Sequence, residues 1–205
     1  PTRESLLMFA LSPFAFPSIS VPTAEGDMEL IFSTTLTSAT NSVTTGTLAT
    51  GFKSYLINVR GRSDRDNNRN AFSRIFFNND KTDSNYQELR FFGKNDPSIT
   101  ASSQDLSGFF ALPSAAGDSD FFGGATMHVY SPESTTGYKS FNITQGAHNA
   151  ANNATSSGRQ MYVVSGVWRN TSAITSLTFE VASSMADGSD ADFIIGSSFE
   201  VYGLK

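Results

Sequence analysis

The sequence predicts an all-β protein built as an antiparallel two-sheet β-sandwich, and three observations carry that prediction. Only 16% of the residues are charged, against about 25% in ordinary domains. The chain has 18 Phe and 16 Gly and is dense in Ser, Thr and Asn, a mixture typical of strands joined by polar turns rather than of helices. Apolar residues come in short runs, and no stretch of roughly ten residues has helical periodicity.

The strands follow one another from residue 28 onward, with turn residues between them. The first, 28–36, alternates apolar and polar side chains. In 55–60, Tyr55, Ile57 and Val59 point one way and the residues between them point the other way, as expected for a half-buried strand.

Aromatic residues mark the central strands. Residues 72–77 are rich in Phe and end at the turn 78–80, and residues 86–92 end before Pro97. Five or six further segments bring the count to about nine or ten strands, which fits a sandwich of Greek-key or jelly-roll type. These further predicted strands are 109–112, 121–130, 138–143, 161–167, 177–181 and 193–202.

Three polar segments are predicted to be loops: 63–70, a mixed-charge hairpin tip; 145–158, which is too polar to bury; and 183–192, which is acidic. Loops at the ends of a sandwich commonly carry binding surfaces. The candidate surface-binding residues in these loops are Asp64, Arg65, Asp66, Arg69, His148 and Asn149.

Residues 1–25 differ from the rest, which divides the chain into an apolar N-terminal arm (1–25) and a sandwich domain (26–205). Pro13 and Pro17 interrupt the apolar run and no small-x-small site closes it, so we expect an uncleaved arm rather than a signal peptide. Exposed to water the arm would be a sticky patch; we expect it to dock on a neighbouring subunit rather than on its own domain. Its candidate attachment residues are Leu6, Leu7, Met8, Phe9, Leu11, Phe14 and Phe16.

Charge and cysteine content exclude several classes of function. The net charge is −5 and the isoelectric point about 4.9, which argues against nucleic acid or an anionic membrane as the partner. The chain has no Cys, so it forms no disulfide, thiolate metal site or iron–sulfur cluster. No apolar run approaches the ~18–20 residues that span a bilayer.

The chain offers few candidates for catalysis, and we expect neither an enzyme nor a cofactor. It contains two histidines, of which His128 is expected to be half-buried and hydrogen-bonded, and His148 to be solvated. No G-x-S-x-G, H-E-x-x-H or P-loop motif is present. A glycosidase with two carboxylates stays open as an alternative, since any Asp/Glu pair could meet in space.

Two further groups admit a binding interpretation beside a structural one. Asp187, Asp190 and Asp192 could collect around Ca²⁺, which takes oxygen ligands, but their spacing is not that of an EF-hand and a metal-free acidic turn is the favoured interpretation. Trp168, the sole tryptophan, could stack on a sugar. The apolar strands on both sides of Trp168 favour a structural plug.

Several segments resemble, in order, a family of tailed-bacteriophage virion proteins. Residues 166–179, which contain Trp168-Arg169 and Ala173-Ile-Thr-Ser176, and the chain's last residues 191–205 resemble the family's W-R-x-T-x-A-I-T-S and G-S-x-F-x-x-Y-G closing motifs, with Val201 where Leu is usual. Earlier matches are to its opening strand, its Y-x-x-L-x-L-x-x-R-x-R strand, its F-N-x-D-x-x-x-N-Y hairpin and its Y-x-x-x-x-x-x-K strand. They lie at 28–36, 55–62, 76–86 and 130–141.

The resemblance covers residues 28–205 and implies a jelly-roll-like homotrimer on the surface of the virion. We therefore expect a capsid-surface decoration or head appendage whose partners are itself and the major capsid or other virion proteins, attached through the arm. The alternative is a tail or collar appendage that recognises host-surface glycans.

Overall fold

The computed structural model describes residues 28–65, 70–93, 99–105, 108–115, 121–148, 159–182 and 191–205. These residues form twelve strands and one short 3₁₀ helix, Asp83–Asn85. The strands are β1 Met28–Thr35, β2 Ser42–Thr44, β3 Ser54–Gly61, β4 Asn70–Phe77, β5 Tyr86–Gly93, β6 Ile99–Gln104, β7 Phe109–Pro113, β8 Gly123–Tyr130, β9 Lys139–His148, β10 Arg159–Trp168, β11 Leu177–Val181 and β12 Ser198–Leu204.

The strands form two antiparallel sheets. The larger sheet has eight strands in the order β1-β12-β3-β8-β9-β10-β5-β6, and the smaller has four in the order β2-β11-β4-β7. Aromatic side chains join the two sheets: the ring of Phe179 on β11 lies 4.9 Å from that of Phe199 on β12, and Phe77 on β4 meets Phe141 on β9 edge-on at 5.8 Å. The predicted all-β sandwich is confirmed; its jelly-roll assignment stays a prediction.

Alternation in the strands decides what enters the core, because successive side chains point to opposite sides of a sheet. In β3 the predicted inward set, Tyr55, Ile57 and Val59, is fully buried or nearly so. One glycine is needed for close packing: a Cβ added to Gly166 on β10 would lie 2.3 Å from the ring of Phe141 on β9. The two residues are cross-strand partners, so the ring packs flat on the glycine backbone.

Two strands, β2 and β6, were not predicted, and two predicted boundaries were wrong. The loop 145–158 was expected to be too polar to bury, yet β9 continues to His148 and Gln145 is buried, because its Oε1 accepts a hydrogen bond of 2.5 Å from the Ala111 backbone N–H. The last strand begins at Ser198 rather than 193, because Phe193 makes isolated bridges to Thr40 and Ser63.

Candidate interaction surface

Arg65 was predicted to be a surface-binding residue of the loop 63–70, and this prediction is wrong. Arg65 is only 5% exposed, and its backbone N–H donates to the Ser63 hydroxyl. Asp64 is exposed, and its carboxylate accepts a hydrogen bond of 2.8 Å from the backbone N–H of Asp192. The backbone N–H of Asp64 donates in turn to the carbonyl of Asp192. The structure thus joins the first predicted loop to the end of the acidic segment.

Most of the other candidate residues lie outside the described part of the chain. Within that part, no group of three His, Cys, Asp or Glu side chains could hold a metal ion. The residues outside it are Asp66, Arg69, Asn149, Asp187, Asp190, the side chain of His148 and the whole set of attachment residues Leu6, Leu7, Met8, Phe9, Leu11, Phe14 and Phe16.

Trp168 is fully buried, so the indole cannot serve as a sugar-stacking platform and the structural interpretation holds. Its ring packs edge-on against Phe77, with centroids 5.5 Å apart, and stacks on Tyr86 at 6.4 Å. Its Nε1–H donates to the Asp80 carboxylate at 2.9 Å. The indole therefore fixes the turn after β4 to the end of β10.

Residues that carry the family resemblance meet around this indole. Tyr86, Trp168 and Lys139 form one cross-strand row through β5, β10 and β9. Asp80 accepts from Asn85 as well as from the indole. We call these residues, with Phe77, the tryptophan cluster. Segments far apart in the sequence supply it: the Trp168–Asp80 hydrogen bond joins two of them, and the Asn85–Asp80 hydrogen bond holds the hairpin 76–86 together.

Lys139 is the least expected member of the tryptophan cluster, because the whole residue is buried. Its Nζ donates to the carbonyls of Gly137 and Asn170, at 3.1 Å each, and lies 5.6 Å from the centroid of the Trp168 ring. Burial lowers the pKa of Lys139, because a low-dielectric site disfavours the charged form. The cation ties the turn before β9 to the loop after β10.

Hydrogen bonds also set the charge of Asp80. Burial alone would raise the pKa of this carboxyl, but donation from Trp168, Asn85 and Thr82 outweighs burial and holds it below its usual value. Asp80 therefore stays ionised at neutral pH. Its charge is used inside the fold rather than presented for chemistry.

The outward face of the eight-stranded sheet is the broadest surface that no described element covers. Its register places five large apolar side chains next to one another on β10, β5 and β6. They are between 44 and 77% exposed. We call this set the apolar strip: Leu89, Phe91, Ile99, Met161 and Val163.

A second apolar area lies toward the other edge of the same face. Met28 and Leu30 on β1 are about half exposed, and Tyr130 on β8 is 38% exposed. Tyr202 on β12 and Leu56 on β3 continue the cross-strand row from Leu30 toward β8. We call Met28, Leu30 and Tyr130 with these neighbours the edge patch.

A depression of about 590 Å³ lies between the two apolar areas, and Met161 of the apolar strip lines part of it. Gly124 and Gly146 face each other across β8 and β9, and a Cβ added to either would meet nothing within 4 Å. Thr126 donates to the amide oxygen of Asn58 at 3.1 Å. The guanidinium of Arg60 lies over the Phe122 ring at 4.2 Å. The depression offers amide, hydroxyl and guanidinium groups around an open floor.

His128 lies between this depression and the edge patch. It is half-buried as expected, with its ring 4.2 Å from that of Tyr130. Its buried Nε2 has no hydrogen-bond partner in the structure. The expected hydrogen-bonding role is therefore not fulfilled at this nitrogen.

The apolar strip was not predicted from the sequence, and the alternation in β5 predicts the opposite orientation of its side chains. In β5, Glu88 and Arg90 are buried and form an ion pair at 2.7 Å, whereas Leu89 and Phe91 are exposed. Ordinary binary patterning would place the apolar pair inside.

Comparison of the chain with protein-family models, with curated proteins and with solved structures finds no match. Among the residues that the structure describes, none belongs to a helix long and apolar enough to cross a membrane.

Proposed function

We propose that the chain is a bacteriophage virion structural protein: a homotrimeric β-sandwich attached to the particle through its N-terminal arm, 1–25, as a capsid-surface decoration or head appendage. One observation carries the proposal. Residues of three family-like motifs that are well separated in the sequence, from Asp80 to Trp168, meet in the tryptophan cluster.

Chance matches to short motifs would be scattered over a fold. Here the hairpin motif supplies Asp80 and Asn85, the strand motif supplies Lys139, and the W-R motif supplies Trp168, all within one contact network. Their contacts hold strand ends and turns together. A shared pattern of this kind accompanies a shared scaffold, which supports the resemblance and a building role for the protein.

The arm supplies the attachment in this proposal. Apolar surface buried at the particle contributes ~25 cal/mol per Å². Three linked subunits bind more tightly than one, because the second and third contacts form at high effective concentration. A low-charge sandwich is then held on the particle without a covalent link.

The direct test is the protein composition of particles from the phage whose genome encodes the chain. Particles banded in a density gradient and washed at high salt should yield peptides from both the arm and the sandwich by mass spectrometry. A host-cell cytosolic protein of similar abundance in the lysate serves as the control for carry-over. Recovery of this chain no higher than that of the control would overturn the proposal.

A second candidate, a tail or collar appendage that recognises host-surface glycans, is favoured by three side chains that line the depression. Its Asn58, Arg60 and Thr126 side chains offer the amide, guanidinium and hydroxyl groups that bind sugar hydroxyls. If this candidate is right, the purified protein competes with phage adsorption and Arg60→Ala weakens the competition, whereas Thr136→Ala, in an exposed turn, does not. No competition at saturating protein would exclude it.

A further inference from the structure

We propose that copies of this chain associate head to tail, with the apolar strip of one copy packed on the edge patch of the next. The proposal rests on the proposed function only for its stoichiometry of three. The surfaces themselves follow from the residues of the eight-stranded sheet.

The first argument is the inverted polarity of β5. This strand buries Glu88 and Arg90 and points Leu89 and Phe91 outward. Burying charged groups carries a desolvation cost even when they are paired. The strand β5 buries this ion pair and also exposes two large apolar side chains. This arrangement is consistent with a strand that is buried on both faces, with another protein surface covering the outer face.

The second argument is size. The five side chains of the apolar strip expose roughly 500 Å² of apolar surface, near the upper end for the largest patch on a typical monomer. A stable interface takes about 800 Å² from each partner. The strip alone supplies more than half of the area that one partner contributes.

The third argument is charge. The outward side chains include no Asp, Glu, Lys or Arg on β5 from Gln87 to Gly93, on β10 from Met161 to Val167, or on β6. Interface cores are depleted of charge in this way. The strip side of the contact therefore adds no charge to the repulsion between two copies that each carry a net charge of −5.

The two edges of the sheet also differ. At the β1 edge a register shift occurs between Leu30 and Phe32, and Glu29 forms an ion pair with Lys205 at 3.3 Å. The β6 edge, Ile99–Gln104, has no charge, no Pro and no register shift. Bulges and charges protect strand edges from other chains, and an edge without them needs a cover.

A second copy is the occupant because the face carries two separate apolar areas. A two-fold contact of strip on strip would leave the edge patch bare. A head-to-tail contact buries both areas in every copy, and copies joined in this way form a ring when the rotation between neighbours closes.

The experiment measures oligomeric state by sedimentation velocity on the full chain and on two variants. The strip variant is Phe91→Thr with Val163→Thr, which keeps β-branched residues on the strands. The edge variant is Leu30→Thr. Thr136→Ser, in an exposed turn, is the matched control. Circular dichroism and thermal unfolding establish that each variant is folded.

We expect the unsubstituted chain and the control to form a trimer and each variant alone to need a concentration roughly 100-fold higher to associate. A mixture of the two variants should form a 1:1 pair, because the intact edge patch of one meets the intact strip of the other.

Three results would overturn the proposal: a monomeric unsubstituted chain, a strip variant that still forms the trimer, or an edge variant that self-associates while the mixture gives no pair. A monomer whose strip becomes exposed to hydrogen exchange on removal of residues 1–25 would assign the strip to the arm instead. A monomeric unsubstituted chain would also overturn the homotrimer of the proposed function, whereas the strip and edge variants test the interface alone. Whether the chain is present in particles is tested separately, by the protein composition of the particles.

Discussion

Substitution of Asp80 by Ala tests whether the tryptophan cluster holds the fold together. The Asp80 carboxylate accepts hydrogen bonds from the Trp168 indole at 2.9 Å, from the Asn85 amide at 2.8 Å and from the Thr82 backbone N–H at 3.1 Å. Trp168 is fully buried. Alanine removes the acceptor of the indole N–H, whose residue is fully buried.

The cost follows from these contacts. Hydrogen bonds to a charged acceptor contribute about 1.5–3 kcal/mol net, and a buried donor left unpaired costs about 1–3 kcal/mol. The two figures partly describe the same lost contact, so they are not added in full. We therefore expect Asp80→Ala to lower the free energy of unfolding by about 3 kcal/mol. For a chain of this size that corresponds to a fall in Tm of about 6–12 °C.

The assay is thermal and urea unfolding, with Asp83→Ala as the matched control. Asp83 lies in the same turn and pairs with Arg74 at 2.8 Å, but its side chain is 49% exposed, so its loss should cost about 0–1 kcal/mol. A double-mutant cycle with Trp168→Phe should give a coupling energy above about 1 kcal/mol. Equal losses for the two aspartates would refute the reasoning.

Three further predictions concern packing, pH and attachment. Gly166→Ala should destabilise the fold by about 1–3 kcal/mol, because its Cβ would lie 2.3 Å from an aromatic ring; Gly146→Ala on the neighbouring strand, with nothing within 4 Å, is the control, and equal melting of the two would contradict the packing. Because the pKa of Asp80 is lowered in the folded chain, its contribution is present above the unfolded pKa and is lost as the pH falls through the folded value; the unfolding free energy should therefore fall less steeply below about pH 4 in Asp80→Asn, and identical slopes would contradict this. Deletion of residues 1–25 should leave a folded sandwich that no longer binds purified particles in a sedimentation assay, and retained binding would exclude the arm as the anchor.

The sequence predicts best those strands in which one face is apolar and the other polar. In β3 the alternation identified the inward set correctly. The strand β2 is only three residues long, and β6 has no alternation in burial, so neither leaves a pattern to detect. Buried Gln145 was missed because its partner, the Ala111 backbone N–H, is distant in the sequence.

The candidate surface was predictable only in part. In β10, Met161 and Val163 point outward while Tyr162 and Val164 point inward, and an apolar run of this kind does not reveal which side faces the core. In β5 the alternation predicts that Leu89 and Phe91 point inward, whereas they point outward. An error of this kind is expected where a strand is covered on its outer face by another molecule.

The number of copies per particle tests the central claim most directly. Densitometry of purified particles on a denaturing gel, with the major capsid protein as the internal standard, gives that number. The proposal that the chain decorates the capsid surface predicts hundreds of copies, in a multiple of three. A few to a few dozen copies would contradict the capsid-surface assignment and favour the tail or collar alternative, and no copies would overturn the virion assignment itself.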